Sequence, residues 1–403
     1  MKKSSFLKIL DSLVGPVACA MLSRPQGSAQ RALLADTEGP VLVIRPGGMG
    51  DAVMLLPMLF ALKEEVPGRR VDILCESRNE AVFKLAFPDC NTISYDRAPF
   101  ATLKLLRKGG YGCVVDTEQF HNFSGVMTAL TRAPLRIGFK INTNRRGLYT
   151  HLVGYDLDGA EDAQFGRLLN AACGKVVTLP RKFGVLRTIN VPLVDKRDAY
   201  RTIVIHAGGS IASKRCGADV IAGAVAECAH RHGLGIVIVG GRDDAGYAAE
   251  IEKYSNDDGR GRPSYNYCGK LSLTETAKVC AEARMLVGPD SGIAHLAVAL
   301  GTPAVVLFGP SDPNKWGPPE GAGKVVRVDL PCSPCSIFGY TKPCANYECV
   351  KGIGTGIVVE AIEGVLKMAT GELEIGNGEL GIGNGVREED VAELQARLME
   401  EHP

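Results

Sequence analysis

The chain has 403 residues, 45% of them hydrophobic and 23% charged, which excludes wholesale disorder and leaves material for two full hydrophobic cores. Forty-six Lys and Arg against 45 Asp and Glu leave a net charge of +1, so a nucleic-acid binder working by bulk electrostatics is excluded, and no nucleic-acid partner is expected. No apolar run reaches the ~18 charge-free residues that a membrane span needs.

The chain opens on Met1-Lys2-Lys3. Phe6, Leu7, Ile9, Leu10, Leu13, Val14, Val17, Ala18, Met21 and Leu22 then share one helical face, with Lys8, Asp11 and Ser12 opposite. Two lysines before an apolar stretch and the segment Ala18-Cys19-Ala20 are features of a signal peptide, but Lys8 and Asp11 interrupt that stretch. An interfacial helix lying on the inner membrane fits better, with a kink expected at Gly15-Pro16; a helix packed on its own domain is the plainer alternative. After a polar linker, Val41–Arg45 has the composition of a buried strand, Asp51–Val66 that of a helix, and Val71–Cys75 and Gly112–Asp116 those of further strands. Continuous apolar strands alternating with helices indicate parallel strand–helix–strand units.

A second series starts at Thr202-Ile-Val-Ile-His-Ala-Gly-Gly209. It continues through Gly235–Gly241, Met285–Asp290 and Ala304–Pro310. Each strand runs into Gly, Pro or Asp, Gly241 among them, where an open α/β sheet places its ligand crevice. Val185–Tyr200 lacks periodicity and contains Pro192, which places the interdomain linker there. The expected organisation is a helix and linker over 1–37, a Rossmann-like domain over 38–190, a second over 200–365, and an acidic linker with a terminal helix over 366–403. The two α/β domains, each with a parallel sheet, are expected to face a central cleft.

Three constellations carry chemistry. In Arg45-Pro-Gly-Gly-Met-Gly-Asp51, Gly48 and Gly50 let backbone approach a ligand at a helix N-terminus. It is not a dinucleotide fingerprint, because the third glycine position is Val53. Asp51 either caps the helix or serves as a general base at the sheet edge. In His206-Ala-Gly-Gly-Ser-Ile-Ala-Ser-Lys-Arg215, the small residues Gly209 and Ser210 and the cations Lys214 and Arg215 are what a diphosphate requires, unless the segment is simply a solvated loop. In Gly288-Pro-Asp-Ser-Gly-Ile-Ala-His295, Asp290 and Ser291 end a strand and Gly292 opens a helix whose amides can meet a leaving phosphate. His295, one turn further in, is either part of that site or a satisfied core histidine.

Nine of the thirteen cysteines are scattered through apolar stretches, as small buried hydrophobes of a reducing compartment would be. Cys332, Cys335, Cys344 and Cys349 form a Cys-x2-Cys-x8-Cys-x4-Cys pattern, which suits a structural tetrahedral metal, a free-thiol loop or two disulfides. From Arg97 to Tyr155 nine Lys and Arg face only Asp116 and Glu118; this block suggests an anionic partner, or a solvated surface balanced by acids elsewhere. From Gly371 to Pro403 nine acids face Arg387 and Arg397.

Together, Arg45…Gly50-Asp51, the Gly209-Ser210…Lys214 loop, Asp290-Ser-Gly-x-x-His295 and Phe308-Gly-Pro-Ser-Asp-Pro313 with Trp316 resemble glycosyltransferase family 9, the ADP-heptose:lipopolysaccharide heptosyltransferases and their relatives. The Cys332-Ser-Pro-Cys335 segment is similar to one in many members. The likeness covers about residues 38–365. It implies a GT-B fold, with acceptor on the N-terminal domain, nucleotide-sugar on the C-terminal one, and no cofactor required for catalysis. It further implies an inverting transfer with Asp51 as base, Ser210 and Lys214 on the donor diphosphate, and Asp290, Ser291, Gly292 and His295 lining the donor site. The implied partners are a nucleotide-sugar, ADP-heptose, and a glycolipid acceptor; the basic block of 97–155 would suit an anionic acceptor, and the N-terminal helix would hold a cytoplasmic protein in peripheral contact with the inner membrane. The chain departs from the family pattern at Pro46-Gly-Gly-Met49, which lacks the usual Ser, and at Arg215-Cys216-Gly217, which replaces a basic-aromatic-Pro run. A sugar-nucleotide epimerase of similar fold, or a binding module without activity, would be built from the same parts.

Overall fold

The structure is a computed structural model that describes residues 3–23, 32–187, 201–209, 214–256, 264–337, 340–341 and 344–368. It divides into two compact units that part between Pro180 and Arg181.

In the first unit β1 (Val41–Arg45), β2 (Val71–Cys75), β3 (Asn91–Ser94), β4 (Cys113–Asp116), β5 (Leu135–Phe139) and β6 (His151–Val153) form a parallel sheet ordered β3-β2-β1-β4-β5-β6. β1 is buried along its whole length because it has a neighbour on each side, Val41 pairing with Val71 of β2 and with Cys113 of β4. That is why its sequence is continuously apolar rather than alternating. The helices are α1 (Lys3–Leu22), α2 (Met49–Glu65), α3 (Glu80–Ala86), α4 (Pro99–Lys108), α5 (Asn122–Leu130) and α6 (Glu161–Cys173). α2 packs with α3 and α6, whereas α1 and α4 pack on α5. α2 is apolar on all sides and correspondingly buried from Ala52 to Leu59. α1 runs through Pro16 as one helix rather than dividing there.

The second unit repeats the plan. β7 (Thr202–His206), β8 (Gly235–Val239), β9 (Ser264–Asn266), β10 (Met285–Pro289), β11 (Ala304–Phe308) and β12 (Gly323–Arg327) are ordered β12-β11-β10-β7-β8-β9, again parallel. Its helices are α7 (Ala218–His232), α8 (Ala245–Asn256), α9 (Leu273–Glu282), α10 (Gly292–Leu300), α11 (Pro313–Trp316), α12 (Glu348–Lys351) and α13 (Thr355–Met368). A small antiparallel pair, β13 (Ser336–Ile337) and β14 (Tyr340–Thr341), lies between α11 and α12 in the chain. The molecule is therefore two Rossmann-like domains with parallel sheets, the fold class expected of the sequence.

The chain enters the second unit before the linker expected at Val185–Tyr200. Gly184 N–H bonds Val298 O at 2.9 Å and Leu186 N–H bonds Ala299 O at 2.8 Å, which ties this segment to α10. Residues 188–200 and the acidic tail from 369 onward lie outside the described residues.

Candidate functional site

Counted from its first strand, each sheet has the order 3-2-1-4-5-6, so the connections leave in opposite directions between β1 and β4 and again between β7 and β10. Such a switch point opens a crevice beyond the carboxyl ends of the strands. The sequence motifs fall at these two places.

In the first unit Arg45 ends β1 with a buried guanidinium. Its Nη1 donates to Thr117 O, just past β4, at 2.7 Å, and its Nη2 lies 3.5 Å from Asp51 Oδ1. The chain then turns at Gly47, whose φ of +108° is a left-handed conformation that favours glycine. That turn makes Gly48 the residue before α2, with Gly50 and Asp51 in its first turn. Asp51 Oδ2 accepts the Gly48 N–H at 3.1 Å. Asp51 is thus a helix cap, yet its side chain keeps 23% exposure and remains reachable.

Below it, Glu118 is buried and accepts the Phe120 N–H at 3.0 Å. Burial alone would raise its pKa, but His121, Arg45 and the backbone amide override that and hold it at about 2. Tyr149 donates to Asp116 Oδ2 at 2.5 Å, and Arg145 Nη1 lies 3.6 Å from the same oxygen. Arg145 is fully buried, so the basic block of 97–155 is not one surface. Arg97 pairs with Glu80 at 2.9 Å, and Arg136 is spent on the Leu148 and Ala133 carbonyls. Lys104, Arg107 and Lys108 of α4 are exposed.

In the second unit β7 ends at His206 and β10 leads into Asp290 and Ser291. Lys214 Nζ lies 2.6 Å from Asp290 Oδ2, and His295 Nε2 lies 3.4 Å from Asp290 Oδ1. Asp290 is buried. Burial opposes its ionisation, but Lys214 and His295 outweigh that and hold the carboxyl well below the usual range. An ammonium group has three N–H donors, so Lys214 can hold Asp290 and still offer donors to an anion. Ser291 caps α10 by accepting the Ala294 N–H at 3.3 Å, and its Oγ lies 3.0 Å from His206 Nδ1. The Trp316 ring is 6.4 Å from that of His295.

Alongside, Arg215 pairs with Asp244, whose Oδ2 accepts the Gly241 N–H at 2.8 Å. Gly241 is visible in the sequence as the end of a strand motif, whereas Asp244 lies in no such motif. A Cβ on Gly208 would lie 2.6 Å from His206 Nε2 and 2.7 Å from Asp244 Oδ2, so only glycine lets the two clusters abut there. The structure thus brings together Lys214, Arg215, Gly241, Asp290, Ser291 and His295. Gly209 follows β7, Gly292 opens α10, and Ser210 lies outside the described residues.

His206 is the titrating member. Burial and, secondarily, Arg215 lower its pKa to about 4. The unfolded chain, with an ordinary value near 6.5, binds a proton that the folded one excludes, so stability falls as pH drops from about 6.5 toward 4, by up to about 3 kcal/mol. Urea unfolding midpoints measured across that window should flatten in His206→Gln; parallel curves for parent and variant would reject the assignment.

None of the thirteen cysteines is joined to another in a disulfide. Cys332, Cys335, Cys344 and Cys349 line one cavity of about 190 Å³ with Pro310, Leu330 and Tyr347. Burial and the neighbouring thiols Cys332 and Cys344 push the Cys349 thiol up, which keeps it protonated. Among the described residues no three His, Cys, Asp or Glu side chains are grouped as metal ligands.

Residues 196–347 match the sequence model of glycosyltransferase family 9 (heptosyltransferase). Lipopolysaccharide heptosyltransferase 1 of Pseudomonas aeruginosa is 44% identical over 66 residues, 16% of this chain and 19% of that protein. Over that segment the chain spans about a fifth of its relative. Lipopolysaccharide heptosyltransferase 3 of Escherichia coli is 23% identical over 67% of this chain and 83% of its own length. The solved E. coli ADP-heptose lipopolysaccharide heptosyltransferase II shares the fold with a TM-score of 0.61 at 20% identity, over 81% of this chain and 98% of that one.

Proposed function

We propose that the chain is a heptosyltransferase-like glycosyltransferase of family 9 and that it moves a heptose from ADP-heptose to a lipopolysaccharide-core acceptor with inversion, a reading supported by the family match and the shared fold. Asp51 takes the proton of the acceptor hydroxyl. The resulting oxygen attacks the anomeric carbon from the face opposite the diphosphate, and the carbon–oxygen bond to the diphosphate breaks. The electron pair leaves on the nucleoside diphosphate. Its charge is met by Lys214, by Ser210 of the same loop and by the first-turn N–H groups of α10 at Gly292, while Ser291 and His295 hold the end of that helix. These contacts strengthen as negative charge develops, which is the condition for accelerating the chemical step.

The observation that carries the reading is the Lys214–Asp290–His295 cluster at the second switch point. Beside it, Arg215 Nε is buried with no hydrogen-bond partner among the described residues, which suits an anionic ligand. A metal taken up by Cys332, Cys335, Cys344 and Cys349 would be structural, and no step runs through it.

The test is a panel of nucleotide sugars read by melting temperature, followed by transfer to a deacylated lipopolysaccharide core. A donor at 100 times its Kd stabilises by about 2.7 kcal/mol. ADP-heptose should give the largest shift and an acceptor-dependent product. A shift with another donor moves the sugar assignment, and free sugar released without acceptor overturns the transfer.

A further inference from the structure

α1 turns its polar side inward. Asp11 is buried, its Oδ2 accepting the Asn122 N–H at 2.9 Å and its Oδ1 the Phe123 N–H at 2.6 Å, at the start of α5. One turn on, a Cβ at Gly15 would meet Asn122 Cβ at 2.5 Å, and a further turn on Cys19 is fully buried with its thiol donating to Asn122 O at 3.7 Å. The helix is therefore held across the first turn of α5 by a narrow stripe at i, i+4 and i+8, where small or anionic residues allow close approach to Asn122. Its outward face consists of Leu10, Leu13, Val14, Val17 and Met21, the last 81% exposed. These are spaced i, i+3, i+4, i+7 and i+11, one continuous apolar stripe. The only charged residue between Ile9 and Leu22 is Asp11, which points away from it.

α4 packs on the same α5 through buried Thr102 and Leu106. It presents Phe100, 87% exposed, with exposed Lys104 and Arg107 at i+4 and i+7, and Lys108 beside them. The helix carries no acid. In the sequence Lys2 and Lys3 precede the apolar stripe of α1 as well.

We propose that the outward faces of α1 and α4 form a docking surface for an anionic lipid bilayer, on which α1 lies in the plane of the interface. An apolar stripe flanked by cations is what a headgroup boundary takes up, the aliphatic side chains entering the acyl region and the cations meeting phosphates. Among the described residues no helix is long and apolar enough to cross a membrane, so the contact is peripheral. Two copies meeting on this face would set the α4 cations of one against those of the other, which disfavours a dimer. The inference needs only α1 and α4 and stands apart from the transfer reaction.

Deleting α1 would strip the cap from α5, so point variants test the idea. Purified full-length chain is sedimented with vesicles of phosphatidylethanolamine and phosphatidylglycerol, and separately with phosphatidylcholine. The parent should pellet with the anionic vesicles and be released by salt. Val17→Asp with Met21→Asp should abolish pelleting without changing melting temperature, since both positions face outward. Lys104→Ala with Arg107→Ala should weaken partitioning about fivefold per cation removed. Failure to pellet, a double aspartate variant that pellets like the parent, or equal binding to phosphatidylcholine each overturns the proposal. So does a doubled mass in light scattering that the aspartate variant reduces to one, which would assign the face to a second copy.

Discussion

Asp51→Asn is expected to lower kcat by about 10²–10⁴-fold, the range for loss of a positioned general base, while leaving donor affinity and fold in place. That corresponds to about 3–5 kcal/mol of barrier. Asn is the informative replacement because Asp51 has two duties. One oxygen caps α2 through Gly48 N–H, and the other lies against Arg45. Asn keeps an acceptor for the cap but cannot take a proton. Asp51→Ala removes both and should add a cap cost of about 0.5–2 kcal/mol in stability. Single-turnover assays with saturating donor, compared with urea midpoints, separate the two. Near-parental turnover by a folded Asp51→Asn protein would leave Asp51 as a cap alone and would remove the proposed mechanism. Arg45 complicates the reading in a useful way. Its guanidinium bridges β1 and the segment after β4, so it fixes the carboxylate's position as well as its charge.

What the sequence disclosed follows from how each contact is made. Central strands such as β1, β4, β7 and β10 have neighbours on both sides and helices over both faces, so their burial writes an unbroken apolar run. β3, an edge strand with Asn91 and Thr92, and β6, an edge strand starting at His151, carry no such signal and are set by pairing. The same division holds at the candidate site. Asp51, Lys214, Asp290 and His295 sit in short motifs at strand ends and were legible. The pairs that complete their surroundings join distant positions: Arg215 with Asp244, Arg45 with Thr117, Arg145 with Asp116. α1 is the instructive case. Periodicity grouped its apolar residues on one face, and Leu10, Leu13, Val14, Val17 and Met21 share one, but periodicity does not say which face turns inward. The unpaired amides at the start of α5 decided that, because a carboxylate from Asp11 meets them directly.

Lys214→Met is expected to act on stability and rate together, and the second effect can be isolated from the first. Removing the ammonium leaves Asp290 buried with only His295 beside it, and breaking a buried pair from one side costs about 3–5 kcal/mol. Turnover by the protein that remains folded should fall about 10²–10³-fold, as when a donor to developing negative charge is lost. Lys214→Met combined with Asp290→Asn removes the stranded charge, so the melting temperature should recover most of its loss while kcat does not. Recovery of both would make Lys214 a structural partner of Asp290 and nothing more. The pH dependence gives an independent reading. Because the folded state depresses the Asp290 pKa, the stability it contributes is complete above its ordinary value near 3.9 and is lost as pH falls below that. His206 acts in the separate window from about 6.5 to 4. The parent should therefore lose stability in two steps on acidification; the lower one shrinks in the double variant to the part that Glu118 carries, while the upper one stays.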